Sequence, residues 1–132
     1  MESGLSWVNG IGIDRIHQRV TCLTGWLLGR LAALRHGNGA PMARIYGPAS
    51  TRDRGGTVAF NLTKADWRRA LRGRARTMDQ NLGLLGLPSL ALRASVGLAS
   101  TVDDVERFLA FVELTYRDRV AGTDGLPARR GC

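Results

Sequence analysis

The chain has 132 residues and an apolar fraction of 44%, enough for one domain with a real core. A net charge of +8 and a pI near 11.1 suggest a polyanionic partner, but the 19 basic residues are scattered and no nucleic-acid-binding signature appears, so specific nucleic-acid binding is not expected. No apolar run approaches a membrane span, the N-terminus lacks a signal-peptide pattern and the two cysteines lack metal-ligand spacing, so we expect a cytoplasmic protein without a membrane partner or a metal site.

A long amphipathic helix is predicted over residues 12–36. Apolar residues recur there at steps of three and four, namely Ile13, Ile16, Val20, Leu23, Leu27, Leu31 and Leu34. Glycines and Pro41 then end the helix. Cys22 is expected to be a small buried apolar residue, and structural roles are predicted for the two histidines, His17 and His36.

Two short alternating segments, residues 42–46 and 57–62, predict an antiparallel hairpin. The segment between them is polar and ends in the pair Gly55-Gly56. A glycine pair also occurs in loops that bind phosphate, but this one precedes a strand rather than a helix. A turn is therefore the better interpretation.

The middle and the end of the chain carry weaker patterns. Thr63 begins a capping-box pattern, which predicts a helix that starts at Lys64. A second helical segment is predicted at about residues 76–85, before a glycine and a proline. Residues 121–132 have no periodicity and are predicted to be disordered.

A strand followed by a helix is predicted over residues 90–119. Within residues 90–98 the apolar side chains alternate onto one face, while Arg93 and Ser95 point to the other. Ser100 or Thr101 can then cap an amphipathic helix that carries acidic residues in its first turn. Together these elements predict an α+β fold with a long N-terminal helix and a small, mainly antiparallel three-stranded sheet with helices packed on one face.

Four phrases stand in a fixed order along the chain: residues 44–48 (RIYGP), 54–61 (RGGTVAFN), 92–100 (LRASVGLAS) and 103–109 (DDVERFL). Together they resemble the C-terminal part of class V aminotransferases, the pyridoxal-phosphate enzymes that include cysteine desulfurases and selenocysteine lyases. The resemblance extends over about residues 7–119.

The resemblance implies fold type I, in which a large domain holds the cofactor and a small C-terminal domain closes over the substrate. Residues 1–120 would be that small domain, with residues 12–36 as the helix that links it to the large domain and residues 42–119 as an α/β layer. Pyridoxal phosphate belongs to the parent family.

Arg93 matches the family arginine that binds the α-carboxylate of the amino-acid substrate. A guanidinium suits that task because it meets a carboxylate with two parallel hydrogen bonds and keeps its charge. Without the resemblance, the favoured interpretation is that Arg93 is a solvated residue on an open sheet face. With the resemblance, the carboxylate site is the interpretation that we favour.

Two departures from the family bear on catalysis. The lysine that binds the cofactor has no counterpart, because Lys64 is the only lysine and stands at a predicted helix start. Roughly forty residues, including the loop with the reactive cysteine of desulfurases, are missing after the strand that ends near Asn61. We therefore assign no catalytic and no cofactor-binding residue, and expect no cofactor binding by this chain alone.

Two functions remain open from the sequence. The first is a small domain or fragment of a class V aminotransferase-like enzyme, which would need a large cofactor-binding domain or a homo-oligomer partner. The second is a non-enzymatic interaction module that pairs through the first helix or through an open sheet edge. Whether the chain takes part in catalysis is not decided by its sequence.

Overall fold

The computed structural model describes residues 2–63, 65 and 91–119. The elements in these residues are, in chain order, α1 (Glu2–Ile11), α2 (Ile13–Ala33), β1 (Ala43–Tyr46), β2 (Thr57–Leu62), β3 (Leu92–Ser95) and α3 (Val102–Tyr116). The predicted α+β fold is confirmed. The helices predicted from Lys64 and at residues 76–85, and the tail at residues 121–132, lie outside the described residues.

The long helix α2 confirms the element predicted over residues 12–36 and ends slightly earlier, where Leu34 turns to an extended conformation. Its buried residues are Leu23, Thr24, Leu27, Leu28 and Leu31. The prediction that Cys22 is buried was wrong, because its side chain is exposed. Each helical residue is rotated by about 100° from the one before it, so Cys22 lies to the side of the face that carries Leu23 and Leu27.

The short helix α1 was not predicted. It is separated from α2 by Gly12, whose φ of 91° favours glycine. Leu5 and Trp7 are 70% and 61% exposed, so α1 buries no continuous apolar stripe against the core. Within residues 2–63 and 91–119, none of the helices combines the length and apolarity needed to cross a membrane.

The three strands form one antiparallel sheet in the order β1-β2-β3. The predicted hairpin is confirmed, with Ile45 of β1 opposite Phe60 of β2. On the other side of β2, Ala59 lies opposite Arg93 of β3. The strand predicted over residues 90–98 is shorter in the structure, where β3 ends at Ser95.

One face of the sheet forms the core with α2 and α3. Val58 and Phe60 point from β2 into it, and Phe60 meets Phe108 edge to face with ring centroids 6.1 Å apart. The buried apolar residues of this cluster are Leu27, Leu28, Leu31, Leu34, Met42, Val58, Phe60, Val105, Leu109 and Val112. Because side chains alternate along a strand, Arg93 and its neighbours in register lie on the opposite face.

The helix α3 begins where its predicted cap lies. The Thr101 hydroxyl accepts a bond from the Asp104 N–H at 3.2 Å, and the Asp104 carboxylate accepts one from the Thr101 N–H at 2.9 Å. This reciprocal capping box satisfies two donors at the start of the helix. Val105, Leu109 and Val112 are buried as their spacing predicted.

A polar contact joins α2 to α3 on the surface. The Glu106 carboxylate accepts bonds from Arg30 Nε at 3.0 Å, Arg30 Nη2 at 2.9 Å and Trp26 Nε1 at 2.7 Å. The hydrogen bonds from Arg30, and then that from Trp26, lower the pKa of Glu106 below its ordinary value. Glu106 is therefore ionised at neutral pH, where it pairs with Arg30 across the helix contact.

Gly56 allows the β1–β2 hairpin to approach the end of β3. The Val96 N–H donates to the Gly56 carbonyl at 2.8 Å. A Cβ at position 56 would overlap the carbonyl oxygen of Val96 and lie 2.9 Å from Val20 Cγ1. Gly55, the next residue back, has no atom near the corresponding position.

Substitution Gly56→Ala should lower the free energy of unfolding by about 2 kcal/mol, because the backbone of β3 must move to admit the methyl group. Gly55→Ala is the matched control and should change it by no more than about 0.5 kcal/mol. Urea unfolding followed by circular dichroism measures both. Equal values for the two variants would show that the close approach to Val96 contributes nothing.

Candidate carboxylate-binding site

Arg93, the residue predicted to bind a carboxylate, lies inside β3, opposite Ala59. Its side chain is exposed, as is that of Ser95, while Ala94 and Val96 between and beyond them pack against the core. The alternation predicted from the sequence is therefore confirmed at these positions. Ser95 also contacts β2, because its Oγ lies 2.9 Å from the Thr57 hydroxyl.

A pocket of about 310 Å³ lies beside β3, where the strand faces the first half of α3. Its apolar wall includes Leu27, Val105 and Phe108. Its polar lining comes from Arg93, Ser95, Ser100 and Asp104. The pocket thus combines an apolar surface with a few polar groups, as is common in sites for small ligands and peptides.

The guanidinium of Arg93 has no carboxylate partner among the residues that the structure describes. The ion pairs in these residues join other groups: Arg30 with Glu106, Arg52 with Asp53, and Arg117 with Glu113. An exposed arginine beside a pocket can therefore receive a carboxylate from a ligand without first giving up an ion pair of its own.

Asp104 supplies the negative charge in the pocket lining. Its Oδ2 accepts bonds from the N–H and the hydroxyl of Thr101, at 2.9 and 2.8 Å. These bonds, the hydroxyl bond first, lower the pKa of Asp104. Asp104 therefore stays ionised at neutral pH, and one of its oxygens is held by the start of α3.

A second cation, Arg44, lies on the same face of the sheet as Arg93. Arg44 lies opposite Asn61 of β2, and Arg93 lies opposite Ala59 of β2. The two arginines are therefore separated by two strand spacings and an offset of two residues, which corresponds to about 12 Å between their Cα atoms. The Arg44 Cζ lies 5.5 Å from the ring centroid of Tyr46, whose hydroxyl accepts a bond from Asn61 Nδ2 at 3.1 Å. Arg44 was not predicted as a site residue, although alternation in β1 could have placed it on this face.

Arg19 of α2 fixes the turn between β3 and α3. Its Nε donates to the Leu98 carbonyl at 3.0 Å, and its Nη2 donates to the Ser100 carbonyl at 2.9 Å. Within the turn, the Gly97 N–H donates to the Ser100 hydroxyl at 3.0 Å. These contacts fix the position of Ser100, which lines the pocket, relative to β3.

The described residues contain no lysine to which pyridoxal phosphate could be attached. Attachment of this cofactor requires a lysine, and the chain has only Lys64, which lies outside the described residues. Among residues 2–63, 65 and 91–119, no group of His, Cys, Asp and Glu side chains could hold a metal ion. The candidate site is thus defined by Arg93 and the pocket beside it.

The fold and the site define a small α+β unit that presents an arginine beside a pocket at a sheet edge. No model of a known protein family matches the chain. The chain is similar to a protein named molybdenum cofactor sulfurase, from Drosophila mojavensis, with 43% identity over 58 residues. The match covers 42% of this chain and 7% of the sulfurase, so it is local, and it is consistent with the family resemblance seen in the sequence.

Proposed function

We propose that this chain is a small domain, or a fragment of one, of a pyridoxal-phosphate enzyme of the class V aminotransferase type. In this role Arg93 binds the α-carboxylate of an amino-acid substrate. Three observations support the proposal: the four ordered phrases of the sequence, the local similarity to a sulfurase and the α+β fold. Similarity to a protein named sulfurase is consistent with a family that includes cysteine desulfurases.

The observation that carries the proposal is the state of Arg93. Its side chain is exposed on the open face of the sheet, the residue borders the pocket, and it makes no ion pair with a described carboxylate. A structural arginine commonly has a carboxylate or carbonyl partner, as Arg30 and Arg19 have here. Arg93 has no such partner among the described residues, and its planar guanidinium would be able to meet a ligand carboxylate with two parallel hydrogen bonds.

In this proposal the chain would bind the substrate together with a large domain. That domain would hold the cofactor and carry out the covalent chemistry, since Lys64 does not match the cofactor-binding lysine of the family. This chain would orient the substrate through its carboxylate and cover it with the small sheet. Orientation of this kind contributes to rate because it fixes the reacting atoms before the chemical step.

Titration of the chain with propionate, followed by amide NMR, tests the role of Arg93. We expect signals from residues 92–96 to shift with a Kd on the order of millimolar, because only one half of the site is present. Arg93→Gln should abolish these shifts. Arg44→Gln, which removes the other arginine of the same sheet face, is the matched control and should leave them unchanged.

The opposite pattern would contradict the proposal. If Arg93→Gln kept the propionate shifts, the guanidinium would not be the carboxylate site. If both variants reduced the shifts equally, the binding would reflect the general positive charge of the sheet face rather than the position of Arg93.

A further inference from the structure

The outer edge of β3 presents backbone groups in a known direction. The Val96 N–H, just after β3, bonds to the carbonyl of Gly56, just before β2. The register pairs Ala94 with Val58, so the N–H and C=O groups of Ala94 and Val96 face β2. In an antiparallel pair the direction alternates from residue to residue. The N–H and C=O groups of Arg93 and Ser95 therefore point away from β2.

No strand lies on that outer side of β3 within residues 2–63, 65 and 91–119, since the sheet order is β1-β2-β3. The pocket of about 310 Å³ occupies part of the same side, between the strand and α3. Leu92, at the start of β3, is 49% exposed. An open strand edge next to an apolar groove is the arrangement that accepts an extended peptide as an added strand.

We propose that an extended acidic peptide segment of a partner protein binds along β3 as a fourth strand. Its backbone would pair with the outward N–H and C=O groups of Arg93 and Ser95. Successive side chains of the peptide would point to opposite faces of the sheet. Those on the open face would include a carboxylate beside Arg93, and those on the core face would be apolar and enter the groove formed by Leu27, Val105 and Phe108.

Charge selects the acidic peptide as the occupant. The chain carries a net charge of +8, and the arginine at this edge has no carboxylate partner among the described residues. A second copy of the chain that paired through its own β3 would not neutralise Arg93, because β3 (LRAS) contains no acidic residue to place opposite it. Antiparallel pairing of two β3 edges would instead bring two arginines onto the same face, which is unfavourable.

The inference goes beyond the proposed function, because the peptide is held mainly by the backbone of β3 and a free carboxylate is not. Both proposals involve Arg93, but different experiments contradict each of them. Loss of propionate binding in Arg93→Gln concerns only the carboxylate site. Dependence of peptide binding on the peptide's own N–H groups concerns only the added strand.

Fluorescence anisotropy with the labelled peptide Val-Glu-Val-Glu-Val, blocked at both ends, tests the added strand. In antiparallel register its two Glu residues lie opposite Arg93 and Ser95 and make the backbone bonds, while its Val side chains face the groove. We expect saturable binding. Methylation of the two Glu nitrogens should abolish it, whereas methylation of the central Val nitrogen, which points away from β3, should leave it unchanged.

Charge is tested with matched partners. The peptide Val-Gln-Val-Gln-Val should bind more weakly, and Arg93→Gln should weaken binding of the Glu peptide by about fivefold or more. Arg44→Gln, on the strand at the opposite edge, should change it less than about twofold. Equal binding of the Glu and Gln peptides, or indifference to methylation of the Glu nitrogens, would overturn the proposal.

Light scattering on the same samples tests the competing occupant. We expect the free chain to remain monomeric at the concentrations used for binding. A dimer that the Glu peptide neither binds nor dissociates would assign this edge to a second copy of the chain, and the proposal would then be wrong.

Discussion

Substitution of Leu31 by alanine should lower the free energy of unfolding by about 3 kcal/mol. Leu31 is 0% exposed and lies in the core between α2, the sheet and α3. Removal of three carbons loses the burial of the side chain and leaves a cavity that the neighbours fill only in part. Since a domain of this size is held by about 5–15 kcal/mol, this single change removes a large share of its stability.

Leu114→Ala is the matched control. Leu114 lies on α3 and is 88% exposed, so the same chemical change there should alter stability by no more than about 0.5 kcal/mol. Guanidinium unfolding curves followed by circular dichroism measure both variants. A small effect at Leu31 would show that α2 does not pack on the sheet as described.

The two long helices and the hairpin could be predicted because their signals lie within each element. The spacing that includes Leu27 and Leu31 is a property of α2 alone, and the capping box at Thr101 needs only residues three apart. The short helix α1 could not be predicted in this way, because Leu5 and Trp7 are exposed and form no stripe against the core. The burial of Cys22 was predicted wrongly because the periodicity did not show which residues beside the stripe meet the sheet.

The candidate site was predictable only in part. Alternation along β3 gave the face of Arg93, and the register confirms it. The pocket next to Arg93 depends on Leu27 and Asp104, which come from other elements and meet β3 only after folding. No local pattern predicts which residues from distant elements will line one groove, so the pocket had to come from the structure. The sequence suggested an open sheet edge without naming the strand, and among the described residues β3 is an edge strand.

His36 shows the same limit for a buried polar group. Its side chain is 4% exposed, Nε2 lies 2.7 Å from the Thr63 carbonyl, and Nδ1 accepts a bond from the Asp118 N–H at 3.1 Å. Because Nδ1 is the acceptor, the neutral ring carries its proton on Nε2 and donates it to Thr63. The ring thus joins the end of α2 to segments that follow β2 and α3. A structural role was predicted for both histidines, but only the structure shows that His36 is buried and that His17 is exposed.

His36→Ala should therefore lower the free energy of unfolding by about 3 kcal/mol, since it leaves a cavity and removes the partners of the Thr63 carbonyl and the Asp118 N–H. His17→Ala is the matched control: its side chain is exposed on α2, and alanine is the better helix former, so the change should stay within about 0.5 kcal/mol. Urea unfolding of both variants measures the difference. Amide hydrogen exchange adds a second readout, because the Asp118 N–H should exchange faster in His36→Ala and at the native rate in His17→Ala. If the two variants behaved alike, the buried imidazole would not be what ties these three segments together.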